Sequence, residues 1–187
     1  MEDQRDNLRR QIFDSVFFSM ISNLETIRNS MDIIDPNEGT VLATGRDCFR
    51  FIFEEDFKKK YPLTSLGDNS QSSKKILNDH FDSIYKFYRN DLGHYFRYVY
   101  NIYKYIEEND SMYSFHNKLL RSQFSDYELL ILYYNCICTR GEKLQRYAEK
   151  YSLFDNMPDD LLVNEGHLEI GRQLGVIGNS SGDKLED

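Results

Sequence analysis

Arg89, Asn90 and His94 stand at the head of the stretch YRNDLGHYFRYVYNIYKYI, Tyr88 to Ile106, which continues as a segment crowded with tyrosines. A guanidinium holds an anion and an imidazole can move a proton near neutral pH, so this arginine and histidine form a candidate catalytic pair. The same residues serve equally well as the polar entrance to a core helix. Arg89 would then pair with Asp91 or another surface acid, an exposed bridge contributing about 0 to 1 kcal/mol, and His94 would cap or pack beside Gly93. Positions five apart point ~140° away from each other on a regular helix. Convergence on one substrate therefore needs a break, which Gly93 would allow, or a second subunit.

A second set of polar residues is embedded in apolar runs: Tyr95 and Arg97 in HYFRY, Arg121 and Gln123 in LLRSQF, Glu128 in DYELL and Asn135 in YYNC. Buried polar side chains require partners. The expectation is a structural network between the fourth, fifth and sixth helices, with Glu128 joining Arg97 or Arg121; the same residues could also shape a binding pocket. A third set, Lys86, Arg89, Arg97 and Lys104, interleaves with tyrosines and is extended by lysines 58 to 60 and 74 to 75. Cations among aromatic rings suit nucleic-acid binding without cleavage, but charged runs beside a polar loop are usually a solvated face.

The elements that carry these residues read as helices. Ile12, Phe13, Val16, Phe17, Met20, Leu24, Ile27 and Met31 recur at steps of three and four, the spacing of an amphipathic helix. DIIDPNEGTVLATG supplies turn chemistry through Pro36, Gly39 and Gly45 before a second helix near Asp47. After the polar loop Tyr61 to Ser73, Ile76, Leu77, Phe81, Ile84, Tyr85 and Tyr88 resume helical spacing, and Gly93 closes that helix or opens the next. Tyr95, Val99, Ile102, Tyr103 and Ile106 form a core stripe, and a fifth helix runs through Met112, Phe115, Leu119 and Leu120. Ser125 and Glu128 have the spacing of a capping box, and the apolar-all-round run that follows belongs to a helix packed among others or at an oligomer interface. Leu144, Tyr147, Ala148 and Tyr151 suggest a seventh helix. With no convincing strand run, the expected fold is an all-α bundle of six or seven helices round an aromatic-rich core, residues 1–163, followed by a polar, flexible tail, 164–187.

Composition limits the function. At 187 residues with 40% hydrophobic and 14% aromatic content, the chain can bury one core without staples. A formal charge of −8 argues against global attraction to nucleic acid or an anionic membrane. Cys48, Cys136 and Cys138 lack metal-ligand spacing and are odd in number, so they read as core residues in a reducing compartment. His80, His116 and His167 lie far apart in sequence. No phosphate-binding glycine loop, nucleophilic triad or zinc constellation is present, and no cofactor is expected. No apolar run approaches the ~18 residues of a membrane span.

The blocks VFFSMISNLETIRNSMDI, GRDCFRFIFEEDFKKKY, GHYFRYVYNIYKYI, LLRSQFSDYELLILYYN and EKYSLFDNMPDDLL, spanning residues 12 to 162 in order, resemble the phage abortive infection family of AbiC-like proteins. That resemblance implies a role in bacterial antiviral defence, in which the infected cell stops growing or dies before progeny are released. It implies no agreed catalytic residues. Many relatives carry membrane segments and a charged helical linker ahead of this domain, which this chain lacks, so a cytoplasmic version is expected.

RNDLGH also resembles the short signature of HEPN ribonucleases, an arginine, a polar residue, a few more residues and a histidine. It implies metal-independent RNA cleavage, with His94 as base near the 2′-hydroxyl, Arg89 on the phosphate and Asn90 orienting either. Such domains work as dimers, so a homo-oligomer is expected. The alternative partners are a phage or host protein that triggers the response, or RNA held without cleavage.

Overall fold

Helix α1 (Glu2–Asn29) presents Phe13, Phe17, Leu24 and Ile27 along one buried stripe, and that stripe lies along α4 (Arg89–Glu108). The computed structural model describes residues 2–62, 71–109 and 114–178. Around this pair are arranged α2 (Asp47–Phe51), α3 (Gln71–Phe87), α5 (Ser114–Arg121), α6 (Asp126–Ile137), α7 (Glu142–Lys150) and α8 (Gly166–Gln173). The fold is all-α, with the aromatic core expected from the sequence.

Residues 32–44 do more than turn. They form an antiparallel hairpin, β1 (Asp32–Ile34) with β2 (Val41–Thr44), which corrects the expectation of a chain without strands. Ile33, Ile34 and Val41 are β-branched and suit the pleat. The Asp35 carboxylate accepts from the backbone N–H of Asn37 and Glu38 at 2.7 and 3.2 Å, and Gly39 takes a φ of +68° that closes the turn.

α2 then runs without interruption into a π-helical stretch, Ile52–Lys58. Phe49, Ile52, Phe53 and Phe57 all point into the core there. Phe57 meets Tyr134 of α6 with ring centroids 4.4 Å apart.

The junction between α3 and α4 falls at Tyr88, whose φ of −98° and ψ of 22° leave the helical region. Gly93 is therefore not the break; it lies inside α4. A Cβ at position 93 would come within 2.8 Å of the Tyr85 hydroxyl, so the glycine admits the close approach of α3.

The Met112 expected to open the fifth helix lies outside the described residues. α6 starts with the expected capping box: Ser125 Oγ accepts from the Glu128 N–H at 3.4 Å, and the Glu128 carboxylate accepts from the Ser125 N–H at 3.0 Å. Every residue from Glu128 to Ile137 is buried, which makes α6 the central helix.

At the carboxyl end, within the stretch expected as a loose tail, α8 buries His167, Ile170 and, just after it, Val176. The three cysteines are free and buried; burial pushes the Cys48 thiol up to about 11 and Cys138 up to about 12, and raises Cys136 further. Among the described residues no cluster of histidine, cysteine and acidic side chains could hold a metal, and no helix is long and apolar enough to cross a membrane.

Candidate functional site

α4 has two opposite faces because its sequence alternates at helical spacing. Leu92, Tyr95, Phe96, Val99 and Ile102 are buried, while Arg89, Asn90, His94, Arg97, Asn101 and Lys104 are exposed. At 100° per residue, Asn90, His94, Arg97 and Asn101 fall within an arc of ~60°, and Arg89 lies ~80° outside it. The helix is continuous from Arg89 through His94, so these two side chains leave its axis ~140° apart. One chain does not bring the guanidinium and the imidazole onto the same atom.

Among the described residues, none of Arg89, Asn90, His94 and Arg97 makes an ion pair or a side-chain hydrogen bond. The expected bridge from Arg89 to Asp91 is not formed. His94 stands edge-on to Tyr98 with ring centroids 6.5 Å apart. This contrasts with the rest of the basic set. Lys86 pairs with Asp82 at 2.7 Å, Lys104 with Glu108 at 3.7 Å, Lys58 with Glu54 at 3.8 Å and Lys59 with Glu55 at 2.5 Å, while Lys60 pairs with Asp56. Lys74 donates to Gln173 at 3.1 Å, so the lysine runs are largely matched by neighbours.

Behind this face lies a buried network with a different membership from the one expected. Glu128 is fully buried, and its cation is Arg28 of α1, not Arg97 or Arg121. The reason is position. Arg97 is on the solvent side of α4, and Arg121 reaches Asp155 at 3.4 Å, whereas α1 carries the Arg28 side chain to the amino end of α6.

Arg28 also donates to Glu25 at 3.2 Å and to the Gln123 carbonyl at 3.1 Å, and lies over the Phe124 ring. Gln123 thus takes part through its backbone. The Tyr95 hydroxyl donates to Glu128 Oε1 at 2.8 Å; burial first, and the adjacent carboxylate second, hold its pKa well above the ordinary phenol value. Asn135 is buried against Gly141 and stands apart from this cluster. With Arg28, Glu128 and Tyr95 all closed to solvent, the network joins α1, α4 and α6 and offers no room for a reactant.

Two participants were missed in the sequence. Arg28 follows Leu24 by one turn on the core stripe of α1, a charged residue on an apolar face, which was the available signal. His167 gave none. It is buried between Tyr61, whose hydroxyl is 3.1 Å from Nε2, and Tyr134, whose hydroxyl is 2.9 Å from Nδ1, and burial pushes its pKa down to about 4.

Comparison with known families matches residues 87–161 to the model described as "putative phage abortive infection protein". The matched segment contains α4 through α7, hence Arg89, Asn90, His94 and Glu128, and leaves out Arg28 in α1. Neither the curated proteins nor the solved structures gave a match.

Proposed function

From a chain whose central helices match an abortive-infection family, we propose a bacterial antiphage defence protein, cytoplasmic, that acts by binding a phage or host component through the outward face of α4. The observation that carries the reading is the exposure of Asn90, His94 and Arg97 on one arc of a helix whose other side is locked in the core, with Arg89 exposed at the helix's first position. A guanidinium without an acidic partner keeps its hydrogen-bond donors available to an anionic group on a partner. The alternative use of the buried polar residues as a pocket is disfavoured by the closure of Glu128 and Tyr95 to solvent.

A second reading is a metal-independent ribonuclease in which Arg89 of one copy and His94 of another meet. It is favoured by the exposure of both side chains, and the ~140° between them makes a second copy necessary. Cation-driven RNA binding without cleavage is the weaker third reading, since most of the lysines that would extend the surface are already paired.

Phage plating on bacteria expressing the wild type or Arg89→Ala/His94→Ala, at matched soluble levels, tests the reading. Loss of protection with unchanged helical content places the pair in the working face. Intact RNA in those infected wild-type cells then favours binding, and cleaved RNA favours the nuclease. Full protection by the double variant removes both.

A further inference from the structure

Arg89, Gly93 and Arg97 follow one another at i, i+4 and i+8, a single row along α4. The glycine is the gap in that row, and α3 fills it with a hydroxyl. At the point where a Cβ of residue 93 would stand, the Tyr85 hydroxyl is 2.8 Å away and Arg97 Nη1 is 3.3 Å away. Arg97 thus leans back over the glycine, the direction in which helical side chains point. Two hydrogen-bond donors from two helices converge on one spot, and Arg89 stands one turn before it, about 6 Å along the axis.

The phenol is held in place through its ring. The Arg140 guanidinium carbon lies 4.2 Å from the ring centroid, and Phe96 runs nearly parallel at 6.3 Å. Tyr85 is half-buried, Arg97 is exposed, and among the described residues neither side chain makes a hydrogen bond or an ion pair. The charge at the spot is one-sided. Three and four residues either side of Arg97 stand Gly93, His94, Tyr100 and Asn101, none of them an acid. Asp82, one turn before Tyr85 on α3, is held by Lys86 at 2.7 Å and by Arg140. Asp91 leaves α4 ~120° away from Arg97, on the side of Asp32 and Cys48. Asp79 lies ~9 Å further along α3 than Tyr85.

We infer that Tyr85, Arg97 and Arg89 form a subsite for a single phosphate group carried by a small molecule, bound over Gly93. The inference rests on the reading of α4 as the binding face and names the group that this face takes up. Each of the three side chains offers donors, and a terminal phosphate offers three acceptor oxygens, one for each, where a carboxylate offers two. A single phosphate suits the site better than the repeated phosphates of a nucleic acid. The lysines that would follow such a backbone away from this spot are already paired with acids, and the chain as a whole carries a charge of −8. Arg140 is a positioning residue, since it holds the phenol ring and spends its own charge on Asp82.

Titration of the full chain with inorganic phosphate at constant ionic strength, followed through the NMR signals of the arginine Nε–H groups, tests it. Acetate serves as the carboxylate probe and a short single-stranded RNA with hydroxyl ends as the polyanion. Saturable shifts centred on Arg97 and Arg89 are expected with phosphate, and binding about tenfold weaker with acetate. Tyr85→Phe removes the hydroxyl and keeps the ring between Arg140 and Phe96; it and Arg97→Gln are each expected to weaken phosphate binding by about tenfold. Arg172→Gln, at a guanidinium paired with Glu169 on α8, is expected to change nothing. Circular dichroism checks that each variant is folded. Equal binding of phosphate and acetate overturns the inference, and so does phosphate binding that Tyr85→Phe leaves intact. Tight binding of the RNA with none of free phosphate also overturns it, since several phosphates are then needed. If Arg89→Ala/His94→Ala loses protection in plating while phosphate fails to bind, the α4 face stands and the phosphate assignment falls.

Discussion

Arg28 and Glu128 are the residues on which the fold depends most sharply, because each is a full charge with no exposed surface. Removing one leaves the other buried without a counter-charge, whereas replacing both with apolar groups of similar size removes the problem together with the pair. Arg28→Met is therefore expected to lower unfolding stability by roughly 3 to 5 kcal/mol, and Arg28→Met/Glu128→Met to lose markedly less, in urea titrations of the full chain.

His167 gives a pH signature at the same scale. Its folded pKa of about 4 lies below the ordinary 6.5, so the unfolded chain takes up the proton first on acidification. Its contribution is complete above pH 6.5 and is lost as pH falls toward 4, a change on the order of 3 kcal/mol. His80 shifts in the same downward direction through burial, so the test is a comparison. Between pH 6.5 and 4, His167→Asn is expected to show a shallower fall in stability than the wild type, although it starts lower because the bonds to Tyr61 and Tyr134 are weakened.

At the level of elements, the sequence was most informative where a single local rule decides the structure. The box at Ser125 and Glu128 marks the start of α6 because it satisfies the free amides of that helix from within four residues. The stripe from Tyr95 to Ile106 marks the core face of α4 because its periodicity has no competing explanation. Tertiary contact decided the rest. Gly93 looked like a helix end but is an interior residue pressed by Tyr85, a contact that residue spacing does not encode. The motif residues of α4 were legible as a set, but their shared exposure depended on which side of the helix α1 and α3 cover.

Gly141 is a sharper case of the same kind. Its φ is −97°, so conformation does not require glycine, yet a Cβ there would lie 2.0 Å from the Asn135 carbonyl oxygen at the joint between α6 and α7. Backbone cannot swing aside as a side-chain tip can. Gly141→Ala is expected to cost about 1 to 3 kcal/mol in thermal unfolding, the range for overpacking, whereas Gly39→Ala meets no atom and suffers only from its positive φ.

For the whole molecule, the question is where the folded unit ends. Polar and glycine-rich composition after Leu162 suggested a domain stopping at residue 163, because nothing local in VNEGHLEIGRQLG announces a core helix. The information lies in the partners. The Tyr133 hydroxyl donates to the His167 carbonyl at 2.7 Å, and a Cβ on Gly171 would strike the same hydroxyl at 2.3 Å, so α8 is fitted directly over the central helix. A unit complete at residue 163 would unfold unchanged when the chain is cut there. The packing requires the opposite: truncation after Asn164 strips His167, Ile170 and Val176 from the core and leaves the hydroxyls of Tyr61, Tyr133 and Tyr134 without these partners. Loss of that apolar burial and of those hydrogen bonds is expected to lower the unfolding midpoint by well over 5 °C, with increased binding of a hydrophobic dye. An unchanged midpoint would mean that α8 is an attachment to the fold, and that α6 is already closed without it.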